Sequence, residues 1–168
     1  MLDVVVKNTE RFLLSVPKTK RKKYGQFFTN MSTAKFMASL FCFDRSKPCL
    51  EILDAGAGTG ILATAVIQKL IDDGYKGRIH VTCYETDDFV MPVLEENMRL
   101  STVLPNVTCS IKTDNYITSQ NFSTYTLFGG EDFHYDYIIG NPPYLKTSKD
   151  AIEALAMPEV CYGAPNLY

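Results

Sequence analysis

Patterns typical of metal sites and disulfide frameworks are absent from this sequence. Its two histidines, His80 and His134, are isolated, and its five cysteines form no Cys-x-x-Cys pair, so we predict no metal site. The odd number of cysteines, with Cys49, Cys83 and Cys109 in apolar runs, indicates reduced thiols rather than disulfides. Because thiols stay reduced mainly in the cytosol, we expect a cytoplasmic protein.

Long apolar runs are also missing. None approaches the roughly 20 residues that a membrane-spanning helix needs. Near the N-terminus, charged residues interrupt the apolar ones, which argues against a signal peptide. The remaining composition is ordinary: 168 residues, 46% hydrophobic and 21% charged, predict one globular domain with its own core.

The net charge of −2 conceals an uneven distribution. Residues 1–23 hold seven of the 17 basic residues but only two of the 19 acidic ones, so this segment stands at +5 and the remainder at −7. Five of the basic residues cluster at 18–23. Such a cluster suits contact with a phosphate backbone, and it equally suits a solvated charge run.

Apolar spacing and turn residues predict alternating helices and strands. The first helix is expected over 3–15, with a linker at Pro17 and the basic cluster, and a second helix from a cap at Asn30 or Ser32 to about Phe43. That second helix would bury Ala34, Met37, Ala38, Leu40 and Phe41. Strands are predicted at 49–54, 78–84, 107–111 and 135–139, and further helices at 61–70, about 88–100 and 148–157.

This order predicts an α/β fold, with a doubly wound, mostly parallel sheet and helices on both faces. Residues 115–134 give no readable pattern. Few residues follow the fourth strand, which would be left as an uncovered edge. We therefore expect the chain to be a piece of a longer protein; the alternative is a small sheet whose edge is covered by a partner.

Acidic and glycine residues follow the first three predicted strands, at the edge where ligands bind open α/β sheets. The stretch from Asp54 to Gly60 is Asp-Ala-Gly-Ala-Gly-Thr-Gly, in which glycines would let the backbone approach a ligand; it is neither the dinucleotide pattern nor a P-loop. Asp54 suits a positive amino group, Glu85 the hydroxyls of a ribose, and Asp114 the amine of an adenine ring. Singly, each also fits a turn or a helix cap. Together they match S-adenosylmethionine.

The fourth strand leads into Gly140-Asn141-Pro142-Pro143-Tyr144. The Asn141 side-chain oxygen and the Pro142 carbonyl are two acceptors suited to a planar NH2 group, while paired prolines stiffen the turn. Tyr144 offers a flat face for a flat substrate. An isolated motif of this kind is equally compatible with a proline-rich turn.

With all these motifs in this order, residues 20–168 resemble the N6-adenine DNA methyltransferases of restriction–modification systems, in the arrangement where the cofactor motifs precede Asn-Pro-Pro-Tyr. Residues 25–29 are similar to the upstream motif of that family, although Asn30 stands where proline is usual, and Asn115 where an aromatic residue is frequent. The resemblance implies a class I, Rossmann-like methyltransferase fold. It also implies S-adenosylmethionine as cofactor and DNA as partner, with a methyl group transferred to the N6 amine of an adenine flipped from the duplex.

The resemblance also implies the site residues. The catalytic set is Asn141, Pro142, Pro143 and Tyr144. The cofactor-binding set is Phe28, Thr29, Asp54, Ala55, Gly56, Gly58, Gly60, Glu85, Thr86, Asp114, Asn115 and Asn141.

The implied organisation is an N-terminal helix and basic linker at 1–23, then the first part of the catalytic domain at 24–168. A target-recognition region, and restriction or specificity regions, would lie elsewhere in the full-length protein, and this chain alone is expected to be poorly active. Two alternatives stay open: a methyltransferase acting on a protein glutamine amide or an RNA base amine, and a non-catalytic domain that binds cofactor or DNA together with a partner. Residues 25–29 favour DNA as the substrate.

Overall fold

The computed structural model describes residues 1–23, 28–119, 134–142 and 148–157, with side chains only to residue 20 in the first range. The helices in these ranges are α1 (Leu2–Ser15), α2 (Lys18–Lys23), α3 (Met31–Ser39), α4 (Ile61–Asp72), α5 (Met91–Ser101), α6 (Tyr116–Ser119) and α7 (Ile152–Ala156). The strands are β1 (Cys49–Asp54), β2 (Arg78–Tyr84), β3 (Val107–Lys112) and β4 (Tyr137–Ile139). No helix within the described ranges combines the length and apolar character needed to cross a membrane.

The four strands form one parallel sheet in the order β3-β2-β1-β4. The chain winds outward from β1 through β2 to β3 and then returns to pair β4 with the other side of β1. The predicted doubly wound parallel sheet is confirmed, and its topological switch point lies between β1 and β4.

The core lies between one face of the sheet and helices α1, α3, α4 and α5. Helix α4 is at its centre: each residue from 61 to 67 is buried, which explains why its first two turns carry apolar residues and one threonine on all sides. Leu2 and Val5 of α1 belong to the same core. Helix α1 is therefore integral to the fold.

The basic cluster was predicted to be a linker, and this is wrong, because it forms helix α2. The Pro17 carbonyl accepts the Lys20 N–H at 3.0 Å and closes the first turn. Proline fits the start of a helix, and lysine and arginine are good helix formers, so a run of basic residues after a proline favours a helix.

Helix α3 begins as predicted, with the Asn30 side chain accepting the Thr33 N–H at 2.8 Å, but it ends at Ser39 rather than near Phe43. The Tyr137 hydroxyl accepts the Asp44 N–H at 2.8 Å and donates to the Cys42 carbonyl at 3.1 Å, which holds this segment out of a helix. Leu40, which was expected to be buried, is 66% exposed as a result.

Other boundaries also differ from the prediction. Helix α5 begins at Met91 because Asp87 holds residues 88–90 in a turn: its side chain accepts the Phe89 N–H and its carbonyl the Val90 N–H. Strand β4 begins at Tyr137. Asp136 still donates its backbone N–H to the Glu51 carbonyl at 2.7 Å, but its side chain, at 2.9 Å, accepts the Glu51 N–H. Helix α7 is shorter than predicted, and α6 occupies part of the segment that gave no pattern.

Four cysteines lie in the described residues, and all four are free: Cys42, Cys49, Cys83 and Cys109. This agrees with the prediction of reduced thiols. The sulfurs of Cys83 and Cys109, on neighbouring strands, lie 4.0 Å apart.

Candidate active site

A cavity of about 700 Å³ opens at the carboxyl ends of the strands. Its walls are formed by the glycine-containing stretch at 54–60 (the glycine loop) and by residues 84–89, 114–117 and 138–142. Parallel strands bring their carboxyl ends to one edge, and the β1–β4 switch point separates the loops that follow these two strands. The cavity lies where the sequence predicted a ligand.

Most of the predicted site residues reach this cavity. Those that line it are Phe28, Ala55, Gly56, Gly58, Glu85, Thr86, Asp114, Asn115, Asn141 and Pro142. Thr29, Asp54 and Gly60 are not among the residues that line it. Pro143 and Tyr144, and residues 25–27 of the upstream motif, lie outside the described residues.

The glycine loop takes a shape that side chains resist. Gly58 has φ +54° and Gly60 has φ +79°, both in the left-handed region that residues with a Cβ rarely adopt. A Cβ on Gly60 would also lie 2.7 Å from Met98 Cε and 3.0 Å from Leu94 Cδ1. Gly60 is therefore required both by its own backbone and by the close approach of α5.

Replacing Gly60 with alanine is expected to lower the free energy of unfolding by about 1–3 kcal/mol, because the strained backbone and the contact with Met98 add. Urea denaturation measures this change. The matched control is Gly56→Ala, since a Cβ there meets nothing within 4 Å and the backbone is not left-handed. We expect the control to change stability by less than about 0.5 kcal/mol; equal losses in both variants would contradict the argument.

Asp54 ends β1 beneath the glycine loop and is completely buried. Neither of its carboxylate oxygens has a hydrogen-bond partner of ordinary geometry among the described residues. Burial raises the pKa of Asp54 to about 7, against the opposing pull of the nearby Ala63 and Gly56 backbone N–H groups. A buried, unsatisfied carboxyl group next to a cavity is suited to a positively charged ligand group.

Glu85, at the end of β2, was predicted to accept the hydroxyls of a ribose, and in the structure it accepts three backbone N–H groups. One carboxylate oxygen accepts the Gly58 N–H at 2.8 Å, and the other accepts the Thr86 and Asp87 N–H groups, each at 2.8 Å. A carboxylate has about four acceptor positions, so these bonds leave room for about one more. Glu85 therefore fixes the glycine loop to the end of β2, and one further hydroxyl can bind without displacing these contacts.

Asn141 leaves the carboxyl end of β4 and lines the cavity. Its amide nitrogen donates to Thr29 Oγ1 at 3.1 Å, a contact between residues 112 positions apart in the sequence. Because the NH2 half of the amide is directed at Thr29, the carbonyl half points the other way. Thr29 thus orients Asn141 without itself lining the cavity.

The far end of the cavity combines Asp114, which is exposed, with a contact that the sequence did not indicate. Asn115 donates from its side chain to Glu153 Oε1 of α7 at 2.9 Å. Tyr116, the nearest aromatic residue, packs edge-on against Tyr84 with ring centres 5.1 Å apart. No local pattern singled out Glu153, because its position depends on the packing of α7 against α6.

The mouth of the cavity carries a basic side chain. Lys20 of α2 and Phe89 both line it, and the Lys20 ammonium lies over the Phe89 ring. An ammonium over an aromatic face is held by a cation–π interaction. The basic helix is therefore next to the cavity, which sequence position alone did not indicate.

Comparison with known proteins identifies a family and several relatives of this chain. The model of the N-6 DNA Methylase family matches residues 2–156. Type II methyltransferase M.BsuBI of Bacillus subtilis is 29% identical over 172 residues, which cover 98% of this chain and 33% of that protein. The release factor glutamine methyltransferase of Fusobacterium nucleatum is 35% identical over 112 residues, covering 66% of this chain and 25% of that protein. The chain thus spans about a third or less of these relatives.

Among solved structures, a class I S-adenosylmethionine-dependent methyltransferase of Listeria monocytogenes has a similar fold, with a TM-score of 0.59. It is 19% identical, and the match covers 85% of this chain and 39% of that one. At this identity the likeness establishes the fold, which agrees with the parallel sheet and its strand order.

Proposed function

Because this chain belongs to the N-6 DNA methylase family, we propose that the protein transfers a methyl group from S-adenosylmethionine to the N6 amine of adenine in DNA, as part of a restriction–modification system. The observation that carries the proposal is the position of Asn141. Its amide lines the same cavity as the glycine loop and Glu85, which follow two other strands. A side chain suited to hold the amine that receives the methyl group thus lies beside a pocket suited to the methyl donor.

The pocket fits S-adenosylmethionine in three respects. The buried carboxyl of Asp54, which has no hydrogen-bond partner of ordinary geometry among the described residues, suits the positive amino acid end. Glu85 retains room for about one hydroxyl, as a ribose would require. Asp114 and Asn115 line the end where an adenine ring would lie. These residues would hold the cofactor, which supplies a methyl group on a positively charged sulfur.

The chemistry of the protein's own residues follows from the orientation of Asn141. The N6 lone pair of adenine is delocalised into the ring and is a poor nucleophile. Hydrogen bonds accepted from the amine by Asn141 Oδ1 and the Pro142 carbonyl would localise that lone pair and direct it at the methyl group. Such catalysis consists of positioning and electrostatics and needs no covalent enzyme intermediate.

An adenine that is paired in a duplex must be flipped out before its amine can reach this site. The basic helix α2, adjacent to the cavity mouth, suits contact with the DNA phosphates around such a flipped base. We propose that Tyr144 stacks on the base, and that residues 24–168 form the first part of a catalytic domain preceded by the helical and basic segment at 1–23.

A second candidate substrate is a glutamine side-chain amide, which the 35% identity to a release factor glutamine methyltransferase favours. Both substrates present a planar NH2 group, so Asn141 alone does not distinguish them. The match to the type II methyltransferase covers 98% of this chain, whereas the match to the glutamine methyltransferase covers 66%. The wider match favours DNA as the substrate.

We expect the protein, purified as its host makes it, to transfer tritium-labelled methyl groups to duplex DNA from a foreign source but not to a glutamine-containing peptide or to RNA. The product should be N6-methyladenine by mass spectrometry of the digested DNA. Host DNA is the matched control, because sites methylated in the cell accept no further label. Label on the peptide alone would establish the second candidate, and label on neither would reject methyl transfer to both.

A further inference from the structure

Helix α1 contacts the glycine loop through a buried polar side chain. Thr9 is 2% exposed, and its hydroxyl is hydrogen-bonded to the Thr59 hydroxyl at 2.8 Å. The Thr9 oxygen also lies 2.9 Å from the Val5 carbonyl, which can only accept. Both bonds are satisfied together when Thr9 donates to Val5 and accepts from Thr59. Thr59 itself is 1% exposed, so water does not replace this contact.

A second contact holds the backbone of the same loop residue. Asn97 of α5 is completely buried and donates from Nδ2 to the Thr59 carbonyl at 2.8 Å. Its Oδ1 accepts from the Asn8 amide of α1 at 3.0 Å. Thr59 is therefore held by its side chain and by its carbonyl, and both chains of hydrogen bonds end on α1.

A third contact reaches the loop through aromatic rings. Phe12 of α1 packs edge-on against Phe28, with ring centres 6.0 Å apart. Phe28 lines the cavity, and its ring would lie 3.7 Å from a Cβ placed on Gly58. Asn8, Thr9 and Phe12 occupy adjacent turns of one helix face, so a single surface of α1 supports the loop on both sides of Thr59.

We propose that α1 is a brace that keeps the glycine loop in its ligand-binding shape, with Thr9 and Asn97 as positioning residues. Thr59 stands between Gly58 and Gly60, which lose more conformational freedom on ordering than any other residue type. A flexible loop of this kind binds its ligand weakly, because the conformational entropy that it loses on binding opposes the binding free energy. A loop that is already ordered before binding avoids this cost. This role of α1 depends on the proposed cofactor site, since α1 would act by keeping that site in shape.

The experiment measures the Kd of S-adenosylmethionine by calorimetry for the whole chain and its variants. Thr9→Val and Asn97→Leu each remove the hydrogen bonds while nearly preserving shape, and we expect each to weaken binding about fivefold to tenfold. Thr9→Ser keeps the hydroxyl and should restore binding to within about twofold of the original. The matched control is Ser101→Ala on α5, whose hydroxyl is equally buried and contacts the Asn97 carbonyl and the Thr64 hydroxyl but does not contact Thr59.

Amide hydrogen exchange separates positioning from general destabilisation. We expect the Gly58 and Gly60 amides to exchange at least about tenfold faster in Thr9→Val and Asn97→Leu, and not in Ser101→Ala. Equal Kd and exchange in all four variants, or equal losses in the control, would overturn the brace. Failure of the unaltered chain to bind S-adenosylmethionine would instead overturn the cofactor site.

Discussion

Replacing Asn141 with alanine is expected to lower methyl transfer to adenine by about 100-fold or more, the usual loss when one preorganised hydrogen-bonding group is removed from a reacting centre. In the variant, the side chain of residue 141 offers no hydrogen-bond acceptor to the adenine N6 amine. The hydrogen bond to Thr29 is lost as well. Cofactor affinity should change by less than about fivefold, because other residues form most of the cavity wall. Single-turnover transfer of labelled methyl to DNA measures the first effect, and calorimetry the second.

Asn106→Ala is the matched control for that experiment. Asn106 donates to the Gly77 carbonyl at 2.9 Å, at the end of the sheet opposite the cavity, so its loss tests stability without touching the site. We expect transfer by the control to stay within about threefold once both proteins are folded. Unchanged transfer after Asn141→Ala would reject the role assigned to this residue. A loss of cofactor binding without a further loss of transfer would mean that Asn141 serves only to bind the cofactor.

The affinity for S-adenosylmethionine is expected to rise about tenfold between pH 6 and pH 8. The pKa of Asp54 is raised to about 7, so the carboxyl is mostly neutral at the lower pH and mostly ionised at the higher one. A cationic ligand group binds the ionised form better. Asp54→Asn should bind weakly at both values. The quantity to compare is the ratio of the affinity of the unaltered protein to that of Asp54→Asn, measured at each pH. Protonation of the ligand itself changes both affinities equally and therefore cancels in this ratio.

The same carboxyl group sets a pH dependence of stability. Its pKa is 3.8 in ordinary surroundings and about 7 in the folded protein, so the folded state retains the proton longer than the unfolded state. Stability from this group is complete below about pH 4 and is lost as pH rises to about 7, by up to about 1.4 kcal/mol per pH unit. Asp54→Asn should remove this slope, while Asp72→Asn, an exposed acid at the end of α4, should keep it. Equal slopes in all three proteins would contradict the assignment.

The strands and the ligand edge were predictable because their signals are local. An apolar run followed by Asp54 and closely spaced glycines defines a strand, a turn and a helix start within a dozen residues, and β1 and α4 begin where predicted. The early end of α3 was not predictable in this way, because its cause is a bond to a distant residue. Tyr137 ends α3, and it lies almost 100 positions further along the chain.

The sequence by itself determined the parallel sheet and the identity of many of the residues that line the cavity. It could do so because periodicity and glycine content are properties of neighbouring residues. Only the tertiary structure decided how those residues are used: Glu85 bonded to three backbone N–H groups, Asn141 oriented by Thr29, and the glycine loop supported by α1. Each of these depends on side chains that are far apart in sequence and meet only when the core has packed.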